Sequence, residues 1–333
     1  MFSFYPRISR QKFKIGSKSG RPVANVLEEY FQRPVVLFSS GRGAISTYLE
    51  FLGYSSYQHT IAVPAKFCPS CVINAVSEYA FPLRVPSPAD ILLYYEQYGF
   101  TQRRPAVNIK KKYKLIIQDS AHSFFDQKRS DFPRILSFQK FFPVGFGGAI
   151  ILNSEKEKEK LAAFLAGKAR LDFKSEQMIQ KMNFAYYSAA APGPKLTADM
   201  AIAYAMVQCY PRPLASTLSL MPQKLSELVK IEKIRTEYFN YLRDSVVDMR
   251  AKKFIQGTEN PPFIFPGLLT DDYRRRNRLI KKMNQIGLGA KTYHLDENRD
   301  ELNSHYVPAV VIPCHQLIPW PIIKAAGMIL KNF

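Results

Sequence analysis

The sequence predicts an α/β protein whose main layer is a mainly parallel sheet, followed by a smaller α+β region. Three observations carry that expectation. Short apolar runs alternate with stretches that are apolar at helical spacing through the first half of the chain. From Glu155 the character changes to longer, charged helices, and near the end of the chain the alternation returns. With 333 residues, 47% of them hydrophobic, there is enough apolar material for one large domain and a smaller one. The boundary is expected after residue 225, giving a large domain over 1–225 and a small one over 226–333.

The elements follow in order. Leu27 to Phe31 reads as a short amphipathic helix and Val35-Val36-Leu37-Phe38 as a strand that runs into SSGRG. Ala44 to Leu52 is apolar at helical spacing and stops at Gly53. Thr60 to Pro64 reads as a short strand, Cys71 to Tyr79 as a helix and Phe81 to Val85 as a strand. Tyr113 to Gln118 is a buried-type strand ending at Asp119, and Ile135 to Phe138 and Gly148 to Leu152 are two more. Helices are expected over Glu155 to Ala169, Leu196 to Gln208, Leu225 to Arg243 and Tyr273 to Ile286. Strands at Ala290 to His294 and Val307 to Ile312 and a helix near Ile322 to Leu330 complete the chain.

Composition narrows the function. Lys and Arg total 47 against 27 Asp and Glu, a formal charge of +20 that favours an anionic partner. No stretch approaches the roughly 18 consecutive apolar residues of a membrane span, and the N-terminus lacks the unbroken apolar core of a secretory signal, so a cytoplasmic protein is expected. Cys68 and Cys71 have redox-motif spacing, but no second Cys pair or spaced His pair accompanies them, and no metal site is expected. The basic runs Lys110-Lys111-Lys112 and Arg274-Arg275-Arg276 come without a nucleic-acid motif and read as solvated faces.

Three short stretches can carry chemistry. Ser39-Ser40-Gly41-Arg42-Gly43-Ala44 lies between a strand and a helix, where backbone N–H groups, hydroxyls and an arginine suit a phosphate; a plain turn is the competing reading. It is no Walker loop. Asp119 sits at the C-terminal end of a buried strand, where open α/β sheets bind ligands, with His122 three residues on. A carboxylate there can hold a cationic ring nitrogen, although Asp119 could equally cap a following helix. The third stretch is SFQKFFPVGFGG, residues 137–148. Its Ser137-x-x-Lys140 spacing brings penicillin-recognising enzymes to mind, but Phe141-Phe142-Pro143 follows the lysine and Lys291-Thr292 leads to Tyr293, so the companion elements are absent. A lysine before a Gly-Gly strand can instead reach into the same cleft as the other two stretches, as a Schiff-base lysine must.

In that order and spacing the chain resembles the DegT/DnrJ/EryC1/StrS aminotransferases, fold-type I enzymes that use pyridoxal 5'-phosphate (PLP). FSSGRGAI resembles their SGTAAL-like turn, the Val63 to Pro69 segment their VPSYT-like segment, IIQDSAHSF their IEDxAHA-like strand end, and SFQKFFPVGFGG their lysine element. Weaker likenesses run to VVIPCHQLIP near the C-terminus. The resemblance implies Lys140 as the residue bonded to the cofactor, Asp119 as partner of the pyridine nitrogen, and His122 at the cofactor's ring oxygen or stacked beside it. It implies Ser137 and Gly41-Arg42-Gly43 at the phosphate, and Phe67 or Cys68 stacked on the ring. It further implies an amino group passed from a donor, expected to be glutamate, to a keto group on an anionic nucleotide-linked sugar, in a homodimer with the site at the interface. Another PLP-dependent reaction, such as dehydration or elimination, and a non-catalytic basic binding protein are the alternatives. The chain departs from the family pattern in three ways: two residues fewer separate Ser137-Phe138 from the lysine, Phe146 stands where an acidic residue is usual, and Arg42 replaces a threonine.

Overall fold

The computed structural model describes residues 23–63, 72–85, 87–100, 112–126, 130–168, 179, 210–300 and 303–333. The expected helix over Leu196 to Gln208, residues Phe67, Cys68 and Cys71, and the first two lysines of the 110–112 run lie outside them.

Seven strands form the large sheet: β1 (Val35–Phe38), β2 (Thr60–Val63), β3 (Phe81–Arg84), β4 (Ile91–Tyr95), β5 (Leu115–Asp119), β6 (Arg134–Ser137) and β7 (Gly148–Ile151). Their order is β1-β7-β6-β5-β4-β2-β3. From β3 to β6 every neighbouring pair is parallel, and β7 alone runs against the rest, pairing antiparallel with both β1 and β6. The mainly parallel sheet expected from the alternation is therefore present. Its central strands are buried on both faces, which is why they read as continuous apolar runs.

One face is covered by α1 (Val23–Phe31) and the aromatic cluster of Phe124, Phe125, Phe138, Phe141 and Phe142, all fully buried. The other packs Val36, Ile117, Ile135 and Ile150 against Ile45 and Leu49 of α2 (Gly41–Phe51) and Leu161 of α4 (Glu155–Ala166). Between those two helices in the chain, the expected Cys71 to Tyr79 helix is reduced, in its described part, to α3 (Asn74–Val76) with one irregular turn before it.

The second half supplies a three-stranded antiparallel sheet in the order β8-β10-β9, from β8 (Ile264–Leu269), β9 (Lys291–Asp296) and β10 (Tyr306–Pro313). Around it lie α5 (Ala215–Ser219), α6 (Leu225–Ser245), α7 (Met249–Ile255), α8 (Tyr273–Gln285) and α9 (Trp320–Leu330). Strand β8 escaped the sequence reading because IFPGLL carries two strand breakers. The register shifts between Val310 and Val311, opposite Pro266 to Leu268, so the Pro-Gly step sits in a bulge, where both residues are tolerated. The largest core cluster runs from Val23 and Phe138 through Leu228 and Phe239 to Leu268 and Leu330, so the large and small sheets share apolar packing.

At the opposite edge from the site, Asp90 ties together the starts of three strands. Its Oδ2 accepts from the Thr60 amide at 2.9 Å and the Thr60 hydroxyl at 3.1 Å, and its Oδ1 from Lys114 Nζ at 2.7 Å. The Lys114 contact and the Thr60 amide hold the carboxyl down from its ordinary 3.8 to about 2. The depressed value means that the stabilisation is complete above the ordinary pKa and is lost as pH falls through about 2. An Asp90→Asn variant is expected to be less stable near neutrality by about 1 kcal/mol, mostly from the Thr60 bonds because the Lys114 pair is solvent-screened. In chemical denaturation across pH, the gap to the parent protein should close between pH 4 and 2; a gap that persists at the acid end would refute this account.

Candidate active site

The site lies at the C-terminal ends of the parallel strands, where the sheet order places β4, β5 and β6 side by side. Tyr95 is in register with Asp119, and Asp119 with Ile135. Partners in register point to one face, and Ser137, two residues beyond Ile135, shares it. Here strand direction alone brings a carboxylate and a hydroxyl to one rim.

The start of α2 closes on the same rim. Ser40 caps the helix, its Oγ accepting from the Gly43 amide at 2.9 Å. Phe38 of β1 and Ser137 of β6 both register with Gly148 of the reversed strand between them, so Ser137 stands one strand away from the helix start. The fit is tight: a Cβ on Gly41 would lie 3.3 Å from the Leu136 carbonyl oxygen and 3.7 Å from Ser137 Cβ. A Cβ on Gly148 would come within 2.4 Å of Gly41 N. Close approach of backbones therefore demands glycine at 148 and leaves little room at 41, and the helix N-terminus is packed against the end of β6. Arg42 is half-buried at the second helical position, its carbonyl accepting from Ser46 Oγ at 3.1 Å.

Lys140 ends a single 3-10 turn, Phe138–Lys140. Phe138 anchors it, donating its amide to Gly147 O at 2.9 Å and accepting through its carbonyl from Phe141 and Phe142. Lys140 Nζ lies 5.9 Å from the Phe263 ring centre, and its positive charge is felt at both Asp119 and His122. Asp119 and His122 from one stretch of sequence and Lys140 from another thus converge. Phe146 is buried.

Burial pushes the Asp119 carboxyl up from the usual carboxylate range, while Lys140 and a 2.9 Å bond from the Ala121 amide pull it back. Residues 121–126 form turns and not a helix, so Asp119 caps no helix; its bond to Ala121 closes a side-chain turn. His122 is held well below its ordinary range, first by burial and then by the charge of Lys140. Its ring is sandwiched. Tyr98 stacks on one face at 5.0 Å and Phe263 on the other at 5.2 Å. Both faces of the imidazole carry an aromatic ring, which leaves its edge for a ligand.

Several of these neighbours escaped the sequence reading. Tyr95 and Tyr98 flank Glu96-Gln97 at the end of β4, a strand whose ILLYY run was left unassigned. Phe263 precedes the Pro-Gly strand that was also missed. Arg235 of α6 is fully buried beside the lysine turn, its guanidinium 4.7 Å from the Phe141 ring centre; its Nη1 donates to Gln316 Oε1 at 3.0 Å, and Gln316 Nε2 in turn donates to Phe141 O at 2.7 Å. Burial lowers Arg235 to about 10. A helix heptad carrying Arg among leucines gives no sequence sign of that role.

The fold is that of the PLP-dependent aminotransferases of fold type I. The chain is similar to PseC of Helicobacter pylori, an aminotransferase involved in the biosynthesis of pseudoaminic acid, with 12% identity, a TM-score of 0.63, and 99% of this chain and 98% of that one covered. It is similar also to the "Putative sugar aminotransferase Spr1654 from Streptococcus pneumoniae, PMP-form", with 12% identity, a TM-score of 0.62, and 100% and 98% of the chains covered. A DegT DnrJ EryC1 StrS aminotransferase from Brucella abortus is like it at 14% identity and a TM-score of 0.59, over 93% of this chain and 88% of the other. Within the class, residues 27–158 match the family described as "Putative PLP-dependent aminotransferase". No curated protein matches the sequence. The chain thus shares the fold of PLP-dependent aminotransferases, and residues 27–158 carry the family likeness.

The residues present fit that cofactor. A helix N-terminus with Ser137 beside it is a setting that suits a phosphate, and a Cβ on Gly148 would collide with the backbone of that helix start. A buried carboxylate at a strand end suits a protonated ring nitrogen, and a lysine stands beside it. Among the described residues no helix is long and apolar enough to cross a membrane.

Proposed function

We propose that the chain transfers an amino group, with glutamate as donor, to a keto group on a nucleotide-linked sugar. The observation that carries the reading is the convergence of Asp119, Lys140 and the Ser137–α2 cradle on one rim of the sheet. Bound PLP supplies an aldehyde that condenses with amines and a ring that takes up the electron pair left when a Cα–H bond breaks. The chain supplies the rest. Ser137 with the Gly41-Arg42-Gly43 turn holds the phosphate, and Asp119 keeps the ring nitrogen protonated. Lys140 bonds the cofactor at rest and moves the proton at the reacting carbon once released. The formal charge of +20 and the sugar aminotransferases among similar structures support a diphosphate-bearing acceptor. The reading includes a large domain over 1–225, a small one over 226–333, two copies sharing the site at their interface, and work in the cytoplasm.

The test is optical. Purified protein given PLP is expected to turn yellow, absorbing near ~420 nm as a protonated Schiff base does, and to lose that band on adding glutamate. Lys140→Ala should stay colourless apart from free cofactor. A parent protein that never develops the band would end this reading, and a band that glutamate leaves untouched would point to a different donor or to another reaction of the same cofactor.

A further inference from the structure

We propose that Tyr98, seated in the left-handed turn Gln97–Gly99, is a positioning residue that fixes His122 as its Nε2–H tautomer, edge-on to the site, and links that setting to the small sheet through Tyr293 and Gln97. The inference rests on the site as read above. It begins with what surrounds the imidazole. Tyr98 lies on one face with its plane within 24° of parallel and Phe263 on the other within 12°. The ring can neither tip over nor lie flat against a ligand.

Its Nδ1 faces two groups, the Tyr95 hydroxyl at 2.6 Å and the backbone amide of Tyr98 at 3.3 Å. The hydroxyl can turn its proton either way, but the amide proton, shared between Nδ1 and the Tyr95 hydroxyl oxygen, is fixed by the backbone. A proton on Nδ1 would meet the Tyr98 amide proton head-on, so Nδ1 accepts and the single proton of the neutral ring sits on Nε2. The other charged and titratable groups sensed here agree. Burial and the Lys140 ammonium both disfavour imidazolium, and Tyr95 is held protonated by burial and by its neighbours Tyr98 and Asp119. His122 therefore offers the site a donor, suited to an acceptor oxygen of the bound group.

The turn that aims the amide is an unusual one. Tyr98 has φ +55°, a left-handed conformation uncommon for a residue with a side chain, and Gly99 follows at φ +93°. A Cβ on Gly99 would fall 2.3 Å from the His122 carbonyl oxygen, so the turn is pressed against the backbone of His122 as well as its ring. The far side of Tyr98 is stacked by Tyr293 of β9 at 5.2 Å. Gln97 ties down the same strand, its Nε2 donating to His294 O at 3.1 Å and its Oε1 accepting from the Asp296 amide at 2.7 Å. Strand β9 thus holds Tyr98 through its ring and, through Gln97, the turn that carries it.

The experiment uses the full chain labelled with ¹⁵N-histidine and free of cofactor, with the His122 signals assigned by their loss in His122→Asn. Long-range ¹H–¹⁵N spectra should show the Nε2–H tautomer from pH 8 down to 6. Tyr98→Phe, which keeps ring and amide, should reproduce it. Tyr98→Ala, which uncovers one face of the ring, should give mixed tautomers and a raised ring pKa, and Tyr293→Ala a smaller shift in the same sense. A proton on Nδ1 in the parent protein would overturn the proposal, as would a Tyr98→Ala spectrum unchanged from the parent. If Tyr98→Ala fails to fold, the parent tautomer and the Tyr293→Ala shift decide, since Tyr293 lies outside the contacts to His122. In the loaded protein, the PLP dissociation constant should rise about 10-fold in Tyr98→Ala and stay put in Tyr98→Phe. Absence of any cofactor uptake would sink the proposed function, while the spectra of the cofactor-free chain would still decide the role of Tyr98.

Discussion

An Asp119→Asn variant is expected to bind PLP and yet turn over roughly 10²–10³-fold more slowly, the range seen when one preorganised electrostatic contact is removed from a reacting centre. The carboxamide has almost the shape of the carboxylate and can still accept the Ala121 amide proton, so the turn it closes should survive. What is lost is the negative charge. In a buried position a full charge acts on the ring nitrogen with little screening. Without it the ring has no reason to stay protonated and is a poorer sink for electrons. Single-turnover loss of the ~420 nm band on mixing with glutamate measures that step apart from cofactor binding. A rate within about threefold of the parent would show that Asp119 is not the partner of the ring nitrogen.

Gly148→Ala is the largest expected effect on stability. The added Cβ would lie 2.4 Å from both Gly41 N and Ser40 C and 2.7 Å from Ser40 O, all backbone atoms that have no rotamer to move into. Either β7 leaves its place between β1 and β6, or the start of α2 backs away from the sheet. The cost should be about 3 kcal/mol or more, in the upper range for overpacking. Gly53→Ala is the control, for its φ of +76° is strained for alanine but nothing lies within 4 Å of the added atom; about 1 kcal/mol is expected there. Denaturant midpoints compare the two. Equal costs would mean that the close packing of the phosphate turn on β7 is not what holds this corner together.

Much of the large sheet was legible because its strands bury both faces and announce themselves as apolar runs. Val35–Phe38 was read to the residue, and the Asp119 strand end and the Gly148 strand start fell where expected. Strand β4 was legible too, since ILLYY is as apolar as the others and follows the turn-forming run Pro86-Ser87-Pro88-Ala89-Asp90. Strand β8 was hidden by its own bulge. The site was half legible for a related reason. Residues that carry a charge or a hydroxyl at a strand end, such as Asp119 and Lys140, stand out by type and place. The groups packed on His122 and on the lysine turn, Tyr98, Phe263 and Arg235, meet them through stacking and buried contacts between parts of the chain far apart in sequence, and nothing local marks them.

The amide of Gln97 has one more consequence. Strand β9 lies at an edge of the small sheet, and an edge strand offers bare carbonyls and amides to any strand that comes near, including one from another copy. Gln97 occupies two such groups, the His294 carbonyl and the Asp296 amide, with a single side chain whose donor and acceptor are spaced like those of a peptide. The same side chain that steadies the neighbourhood of His122 thereby denies the edge to invading strands. Its loss would be felt first as self-association at high concentration, before any change in chemistry.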